Sequence, residues 1–232
     1  MASNPKTGEG EYPEADWDPQ FRGLNQAPKR ALFAFDDLDY KMPPPGEDIV
    51  EGCKKLHDHK TNKLRETREA EIIEQAQLQM MSPIQPVLEA CGINYAASTE
   101  ARNVVRVIMN NIEYATFEWK VKYGRARPRM KCGKNLEPML EPDSGLHPGH
   151  GSYPSGHASQ AYCWAHLLGA LDPTKMNDAM KAAKEVAFNR EVAGVHFPSD
   201  TVVGIELGLS IARCILSKNK LTPYEISLLL KP

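Results

Sequence analysis

Apolar residues recur along most of this chain at the 3.6-residue period of an α-helix. The clearest run lies between Ser98 and Gly124. Ser98 suits the N-terminal cap of a helix, and Gly124 favours a stop because glycine readily adopts the left-handed conformation found there. One face between them carries Val104, Ile108, Ile112, Ala115 and Trp119. The pattern therefore predicts a helix that ends near Tyr123, with Lys120 in its last turn.

Helical spacing also marks the segments on either side of this run. From Glu47 to about Met81 the pattern predicts one long helix, and the charged run over residues 63–71 is interpreted as its solvated face. Further helices are predicted over residues 156–171, 176–193, 198–216 and 223–230. The chain shows no hairpin signal and no alternation of strands with helices. The sequence therefore predicts an all-α fold.

The first 45 residues show neither the helical nor the strand period. They are rich in Pro, Gly, Asp and Asn, so we interpret residues 1–45 as an irregular N-terminal arm and residues 46–232 as a single helical domain. Residues 131–154 form a second stretch rich in Pro and Gly. A connection of this length within a compact domain is usually functional or disordered, so it is a candidate contact for a ligand.

Composition narrows the functional classes. The 232 residues carry 28 Lys and Arg against 30 Asp and Glu, a net charge of -2, so no global basic character indicates nucleic-acid binding. The longest apolar stretch, residues 202–216, is interrupted by Glu206 and Arg213 and is too short to span a membrane. The N-terminus lacks the apolar core of a signal peptide. The chain as written is therefore expected to be cytoplasmic or unexported, and periplasmic or secreted if a signal peptide has been removed.

The five cysteines are Cys53, Cys91, Cys132, Cys163 and Cys214. Their number is odd and no pair has CxxC spacing, which argues against a disulfide framework and against a structural zinc site. The sequence therefore predicts buried free thiols and no bound metal.

Two short clusters are suited to binding a tetrahedral oxyanion. The first places Lys120 close to Arg127 along the chain, and a guanidinium group matches two oxygens of such an anion. In the second, Ser155 and Gly156 open a predicted helix, where a hydroxyl and backbone N–H groups lie at the positive end of the helix dipole. Together they predict a pocket for a phosphate-shaped ligand.

A third cluster, Arg190 with His196 and Asp200, adds catalytic groups. Two histidines, His196 and His157, can divide catalysis between a nucleophile and a general acid. Asp200 can accept a ring N–H of His196 and leave the other nitrogen free to attack. Taken singly, each cluster also fits a structural role as surface charge, helix cap or packing residue, so the site is predicted by their combination.

In this order the three clusters resemble the type 2 phosphatidic acid phosphatase superfamily. The shared pattern is Lys-x6-Arg-Pro at 120–128, Pro-Ser-Gly-His at 154–157 and Arg-x5-His-x3-Asp at 190–200. That superfamily includes bacterial class A non-specific acid phosphatases, which this chain resembles most in style, integral-membrane lipid phosphatases and vanadium haloperoxidases. The resemblance implies a helical bundle with the pocket at one end, and phosphatase activity that requires neither metal nor cofactor.

The resemblance also implies a role for each matching residue. His196 matches the histidine that attacks phosphorus and becomes phosphorylated, and Asp200 matches the carboxylate that orients it. His157 matches the general acid that protonates the leaving oxygen and then activates water. The oxyanion cradle is matched by Lys120, Arg127, Ser155, Gly156 and Arg190. The expected reaction is hydrolysis or transfer of a small-molecule phosphomonoester through a phosphohistidine.

Two auxiliary residues keep alternatives open. His150 lies seven residues before His157, where some vanadium bromoperoxidases carry an extra histidine, and vanadate has the shape of phosphate. Asn189 stands where the third motif usually has Ser, which predicts altered contacts around the site. A vanadate-dependent haloperoxidase and a scaffold repurposed for a biosynthetic reaction are therefore the alternatives. Related soluble enzymes are often dimers or larger, so a homo-oligomer is also compatible.

Overall fold

A computed structural model describes residues 11–46, 48–77, 81–133, 136, 139 and 148–230. Parts of the predicted arm, of the predicted helix 47–81 and of the connection 131–154 lie outside the described residues. Within them, all regular secondary structure is helical, which confirms the all-α prediction. None of the described helices is both long and apolar enough to cross a membrane. The α-helices are α1 (Ile49–Thr61), α2 (Leu64–Ala76), α3 (Gln85–Ala90), α4 (Thr99–Tyr123), α5 (Pro128–Lys131), α6 (Gly156–Leu171), α7 (Met176–Val192), α8 (Pro198–Ser217) and α9 (Pro223–Leu229).

Helix α4 begins and ends where the sequence predicts. The Ser98 hydroxyl accepts a hydrogen bond from the N–H of Ala101 at 3.0 Å. Gly124 has a φ of 49°, and its N–H donates to the carbonyl oxygen of Lys120 at 2.9 Å. Lys120 therefore lies in the last turn of α4, immediately before the loop that carries Arg127.

The single helix predicted over residues 47–81 is wrong, because the chain forms two helices there. They are separated at Lys63, whose φ is 57°. Residues 57–63 are all polar, so no apolar stripe connects the two helices and nothing opposes a turn between them. After the turn, α2 packs against the end of α7, where Ile72 contacts a buried cluster that includes Val192.

Helix α6 lies at the centre of the bundle, against α4, α7 and α8. A Cβ atom on Gly204 of α8 would lie 2.5 Å from the carbonyl oxygen of Ser155, and one on Gly208 would lie 2.3 Å from that of Ser159. Such contacts are too short for a side chain, so the glycines allow the two backbones to touch. Ser155 also donates its N–H to the carbonyl oxygen of Asp200 at 2.9 Å. The N-terminal ends of α6 and α8 are thereby held side by side.

The prediction that all five cysteines are free is wrong. Cys53 of α1 and Cys132 at the end of α5 form a disulfide, with their Cα atoms 5.3 Å apart. The two lie 79 residues apart in the sequence, so local spacing carried no signal for the pair. Tertiary packing brings them together, since both lie in a cluster with Leu56 and Phe197. The other three cysteines are free and buried, as predicted.

Residues 11–46 follow an irregular path with three short 3-10 turns. The segment packs tightly on the helices: Trp17 is 1% exposed and contacts Phe117 of α4 edge to face. The N–H of Tyr12 donates to the carbonyl oxygen of Gly124 at 2.8 Å. This part of the arm therefore lies against the loop at the C-terminal end of α4.

Candidate active site

A cavity of about 280 Å³ lies where the N-terminal ends of α6 and α8 meet the C-terminal end of α4. The structure brings together predicted site residues that are up to 80 positions apart in the sequence. The predicted site residues that line the cavity are Lys120, Arg127, His150, Gly156, His157, Arg190 and His196. Those that lie behind its lining are Ser155, Asn189 and Asp200.

His196 immediately precedes α8, and Asp200 lies in the first turn of that helix. One carboxylate oxygen of Asp200, Oδ2, lies 3.2 Å from Nδ1 of His196 and accepts the N–H of Phe197 at 2.9 Å. Because a carboxylate only accepts, Nδ1 carries the proton and Nε2 has a free lone pair. Arg127 Nη1 lies 3.4 Å from that Nε2. The unprotonated nitrogen of His196 is therefore defined by the local geometry of the α8 N-terminus.

Arg125 holds the other oxygen of Asp200. Its Nη1 lies 2.7 Å from Oδ1 of Asp200, and its Nη2 lies 2.9 Å from Oδ1 of Asp48. Burial raises the pKa of Asp200, but Arg125 and the N–H of Phe197 oppose that rise and support the charged carboxylate. Arg125 is not among the predicted site residues, although its place two residues before Arg127 was an available signal.

His157, in the first turn of α6, is fixed by α2. Its Nε2 lies 2.8 Å from the backbone carbonyl oxygen of Gln75. A carbonyl only accepts, so Nε2 carries a proton and Nδ1 is left to exchange a proton with a ligand. No sequence pattern marks Gln75, because the contact is made by a backbone atom 82 residues earlier in the chain.

The N-terminus of α6 is capped by Ser155, and little surrounds the Cα atom of the next residue, Gly156. Ser155 is fully buried, and its Oγ accepts the N–H of Ala158 at 3.5 Å. A Cβ atom on Gly156 would meet only Thr116 Cγ2 at 3.6 Å, an ordinary contact. The protein therefore leaves space beside Gly156. The backbone N–H groups at the N-terminus of α6 favour an anion there.

Lys120 is almost fully buried, and its ammonium group is engaged by the loop before α6. Nζ donates to the carbonyl oxygens of Gly151 at 2.8 Å, Ser152 at 3.1 Å and Pro154 at 2.6 Å. An ammonium group has three N–H donors, and these carbonyls use all three. Lys120 therefore anchors the loop that leads to Ser155 and adds positive charge to the cavity wall.

Two buried guanidinium groups differ in how their donors are used. Arg127 donates from Nη1 to the carbonyl oxygen of Val195 at 2.6 Å and from Nε to that of His150 at 2.8 Å. Arg190, at the C-terminal end of α7, is 1% exposed, yet its Nε and Nη1 have no partner among the described residues. Leaving a buried donor unpaired costs about 1–3 kcal/mol. These donors are therefore available to a ligand in the cavity.

The cavity concentrates cationic and imidazole groups in a buried setting. Burial lowers the pKa of Arg127 to about 9 and the pKa of Arg190 to about 10. Burial, followed by repulsion from neighbouring cations, also lowers the pKa values of His157 and His196 well below their ordinary range. Burial and Arg127 lower the pKa of Lys120, and Asp200 opposes this. An anion in the cavity would raise all of these pKa values, because opposite charge favours the protonated form.

Known proteins match this chain over the region that carries the three motifs. The sequence model of the PAP2 superfamily matches residues 96–221, more than half of the chain. This chain belongs to the PAP2 superfamily. It is 30% identical over 105 residues to a non-specific acid phosphatase of Providencia stuartii. That match covers 44% of this chain and 42% of the relative, so the chain spans less than half of that protein's length.

Comparison with solved structures bears on the fold. A bacterial vanadium-dependent iodoperoxidase superposes with a TM-score of 0.59 at 17% identity, over 80% of this chain and 54% of the peroxidase. A transmembrane PAP2-type phosphatidylglycerolphosphate phosphatase from Bacillus subtilis gives a TM-score of 0.43 at 17% identity, over 76% of this chain and 94% of the phosphatase. At these identities the first likeness supports the fold alone.

Asn189, the departure from the PAP2 motif, joins α7 to α2. Its Nδ2 donates to Gln75 Oε1 and to Glu71 Oε2, each at 3.2 Å, and its Oδ1 accepts from Arg68 Nη1 at 2.8 Å. The interpretation of residues 63–71 as a solvated face is therefore wrong in part. Three charged residues of that run, Arg65, Arg68 and Glu71, contact α7, and the last two satisfy the buried amide of Asn189.

His150 lies at the edge of the cavity among aromatic rings. Its ring centroid is 4.8 Å from that of Phe21, 4.9 Å from that of Phe117 and 5.9 Å from that of Trp17. Burial, followed by repulsion from Arg127, lowers the pKa of His150 well below its ordinary range. A neutral imidazole in an aromatic setting follows from this, and an auxiliary role in catalysis stays a prediction.

The remaining walls come from segments that no sequence motif marks. The arm supplies Gln20, Phe21 and Leu24, α4 supplies Glu113, Thr116 and Phe117, and other segments supply Ala76, Gln77, Pro83, Pro148 and Gln160. In the part of the chain that the structure describes, no group of three or more His, Cys, Asp or Glu side chains is arranged to hold a metal ion.

Proposed function

We propose that this protein hydrolyses a phosphomonoester, or transfers its phosphoryl group, through a phosphohistidine on His196. One arrangement carries the proposal: the unprotonated Nε2 of His196, the unprotonated Nδ1 of His157 and the unpartnered donors of Arg190 belong to residues that line one cavity. A nucleophile, a general acid and preplaced oxyanion donors are the groups that phosphoryl transfer needs.

In the first step, Nε2 of His196 attacks phosphorus, a P–N bond forms, and the P–O bond to the leaving alcohol breaks. His157, protonated on both ring nitrogens, gives its Nδ1 proton to the departing oxygen. The phosphorylated ring of His196 carries a positive charge, which Asp200 stabilises through the hydrogen bond to Nδ1. The anionic substrate itself raises the low pKa of His157, so the acid is formed when substrate is bound.

In the second step, His157 accepts a proton from water, the water oxygen attacks phosphorus, and the P–N bond breaks. Phosphate leaves and His196 is regenerated. An alcohol in place of water gives phosphoryl transfer instead of hydrolysis. The atoms of the protein supply every proton transfer in this scheme, and neither step requires a metal ion.

Some residues of the proposed oxyanion site bind the phosphate group directly, and others hold those residues in place. In the proposal, Arg190 and the N–H groups at the start of α6 bind the equatorial oxygens, whose charge grows in the transition state. Arg127 adds a further guanidinium beside His196. Lys120 supplies charge and holds the loop before Ser155, and Ser155 caps α6 so that Gly156 faces the ligand. The resemblance of this chain to an acid phosphatase supports the same reaction class.

A vanadate-dependent haloperoxidase is the second candidate, and the observation that favours it is His150 at the cavity edge. Vanadate has the shape of phosphate, so the donors that fit phosphate also fit vanadate. Bound vanadate would supply activation of peroxide for halide oxidation. A scaffold repurposed for a biosynthetic reaction in the same cavity is the third.

The decisive experiment measures hydrolysis of p-nitrophenyl phosphate in the presence of EDTA. We expect turnover by the wild-type protein, and a loss of at least about a thousandfold in His196→Ala, as for removal of other catalytic nucleophiles. His166→Ala is the matched control, because His166 lies on α6 outside the cavity. Absence of turnover across a panel of phosphoesters and pH values would contradict the proposal. Bromination of dimedone with vanadate, peroxide and bromide would favour the second candidate.

The Cys53–Cys132 disulfide bears on the compartment. Disulfides form and persist in oxidising environments and are rare in reducing ones. Of the two locations expected from the sequence, the disulfide supports the periplasmic or secreted one for the mature protein. The proposed partner is a small-molecule phosphoester.

A further inference from the structure

Glu113 is a carboxylate in the cavity wall that the proposed reaction does not use. It lies on α4 seven residues before Lys120, on the helix face that also presents Thr116 and Phe117 to the cavity. The side chain is half-buried, and no described residue donates a hydrogen bond or a charge to it. Burial raises its pKa, which is the effect expected of a carboxyl group that has lost water and gained no partner.

The helix places this carboxylate beyond the anion site. Thr116 is level with the start of α6, since its Cγ2 lies 3.6 Å from the position of a Cβ on Gly156. An α-helix rises about 1.5 Å per residue, so Glu113 lies about one turn beyond Thr116 and about 10 Å along the axis from Lys120. Glu113 therefore faces the organic part of a phosphoester bound at Gly156.

The cavity is consequently polarised. Its cationic end contains Lys120, Arg127 and Arg190. The carboxylate of Glu113 lies beyond that end. Apolar side chains line it as well, and they include Phe21, Leu24, Pro83 and Phe117. A complementary ligand has an anionic group, a short apolar spacer and a cationic group.

We propose that Glu113 selects phosphomonoesters whose organic group ends in a primary ammonium group. This inference rests on the proposed function and names its substrate class. An ammonium group is favoured over a hydroxyl because hydrogen bonds between two charged groups are the stronger ones. A second anionic group on the substrate would be disfavoured at the same position, since like charges repel in a setting of low dielectric constant.

The test measures binding, so it does not depend on turnover. Calorimetry compares 2-aminoethyl-, 3-aminopropyl- and 4-aminobutylphosphonate with the ethyl-, propyl- and butylphosphonates of matching length. We expect the wild-type protein to bind at least one amino compound about tenfold more tightly than its alkyl partner, as for a hydrogen bond between charged groups. Glu113→Gln should remove this preference, and Glu113→Lys should replace it by a preference for 2-carboxyethylphosphonate.

Glu118→Gln is the matched control, because Glu118 lies on the same helix outside this cavity and contacts Asn25 at 3.4 Å. It should keep the wild-type preference. Equal binding of each amino and alkyl pair by the wild-type protein would overturn the inference, as would a preference that survives Glu113→Gln. Hydrolysis of p-nitrophenyl phosphate, measured in parallel, reports on the proposed function separately.

Discussion

Asp200 shows how much of the candidate site depends on one residue. Its two oxygens bind His196, Arg125 and the N–H of Phe197, and its own carbonyl accepts the N–H of Ser155. The carboxylate thus fixes the tautomer of His196, and the backbone carbonyl joins the N-terminal ends of α6 and α8. Its 0% exposure removes competition from water for these contacts.

Asp200→Asn should lower kcat for p-nitrophenyl phosphate by about 10²–10⁴-fold while His196 stays in place. The amide can present an N–H to Nδ1, which favours the wrong tautomer and leaves the phosphorylated ring without a counter-charge. Circular dichroism checks the fold, and Asp178→Asn, an exposed change on α7, is the control. A kcat within a few-fold of wild type would contradict this role for Asp200.

At the scale of elements, α2 is the support of the site. It supplies the carbonyl oxygen that holds His157 and the side chains that hold Asn189, which directly precedes Arg190. The positions of both His157 and Arg190 therefore depend on where α2 lies.

Asn189→Ala should loosen this support. The change removes one hydrogen-bond partner from each of Arg68, Glu71 and Gln75, and we expect the free energy of unfolding to fall by about 1–3 kcal/mol. Because these contacts position His157, kcat should also fall, on the order of tenfold. Urea unfolding and steady-state kinetics measure the two effects. Asn177→Ala, on an exposed part of α7, should change neither. Unchanged stability and kcat in Asn189→Ala would show that α2 does not support the site.

The disulfide is a second link between elements, since it ties α1 to the end of α5. Reduction should lower the free energy of unfolding by about 2–4 kcal/mol, because the bond closes a long loop in the unfolded chain. Urea unfolding with and without dithiothreitol measures the difference. The Cys53→Ala and Cys132→Ala double variant should have the lower stability and show no response to the reductant. An equal response in both proteins would exclude this bond as the cause.

Some of the helices and the links between them were predictable from the sequence, and others were not. Helix α4 was predictable because its cap, stripe and stop are local signals between Ser98 and Gly124. The break at Lys63 was not predictable, because the sparse apolar positions on either side of residues 57–63 also fit one continuous helix. The disulfide and the α2–α7 contacts join residues 79 or more positions apart, where no local pattern reports proximity.

The residues of the candidate site differ in the same way in how far the sequence predicts them. Residues 120–200 carry ordered motifs, so the cavity-lining cations and histidines were predictable. Glu113 was not, because only the folded chain places it in the cavity wall, and Arg125 had its position two residues before Arg127 as its one signal. The use of all three Lys120 donors by backbone carbonyls was also invisible, since any sequence can supply carbonyl oxygens.

At the scale of the whole molecule, the buried histidines make stability depend on pH. The folded protein lowers the pKa values of His157 and His196, so below about pH 6.5 the unfolded chain binds more protons. Their contribution to stability is therefore present above that pH and is lost as the pH falls. Sulfate, a tetrahedral anion that stays fully ionised in this range, should raise these pKa values and bind more tightly as the pH falls.

Thermal unfolding at about pH 5.5 and about pH 7.5, with and without sulfate, tests this coupling. The protein without sulfate should have the lower Tm at the acidic pH, and the rise in Tm on adding sulfate should be larger there. Arg190→Gln should reduce the sulfate effect at both pH values. A sulfate effect that is independent of pH would contradict the coupling between the anion site and the histidines.

The central claim is that His196 becomes phosphorylated, and its most direct test is to trap that species. His157→Ala lacks the base that activates water, so mixing it with p-nitrophenyl phosphate, whose leaving group needs little acid catalysis, should accumulate the intermediate. Mass spectrometry after an alkaline quench should find one added phosphoryl group, stable in base and labile in acid, on the peptide that contains His196. Turnover by the wild-type protein with no phosphoryl group on His196 in the trapped variant would contradict the account.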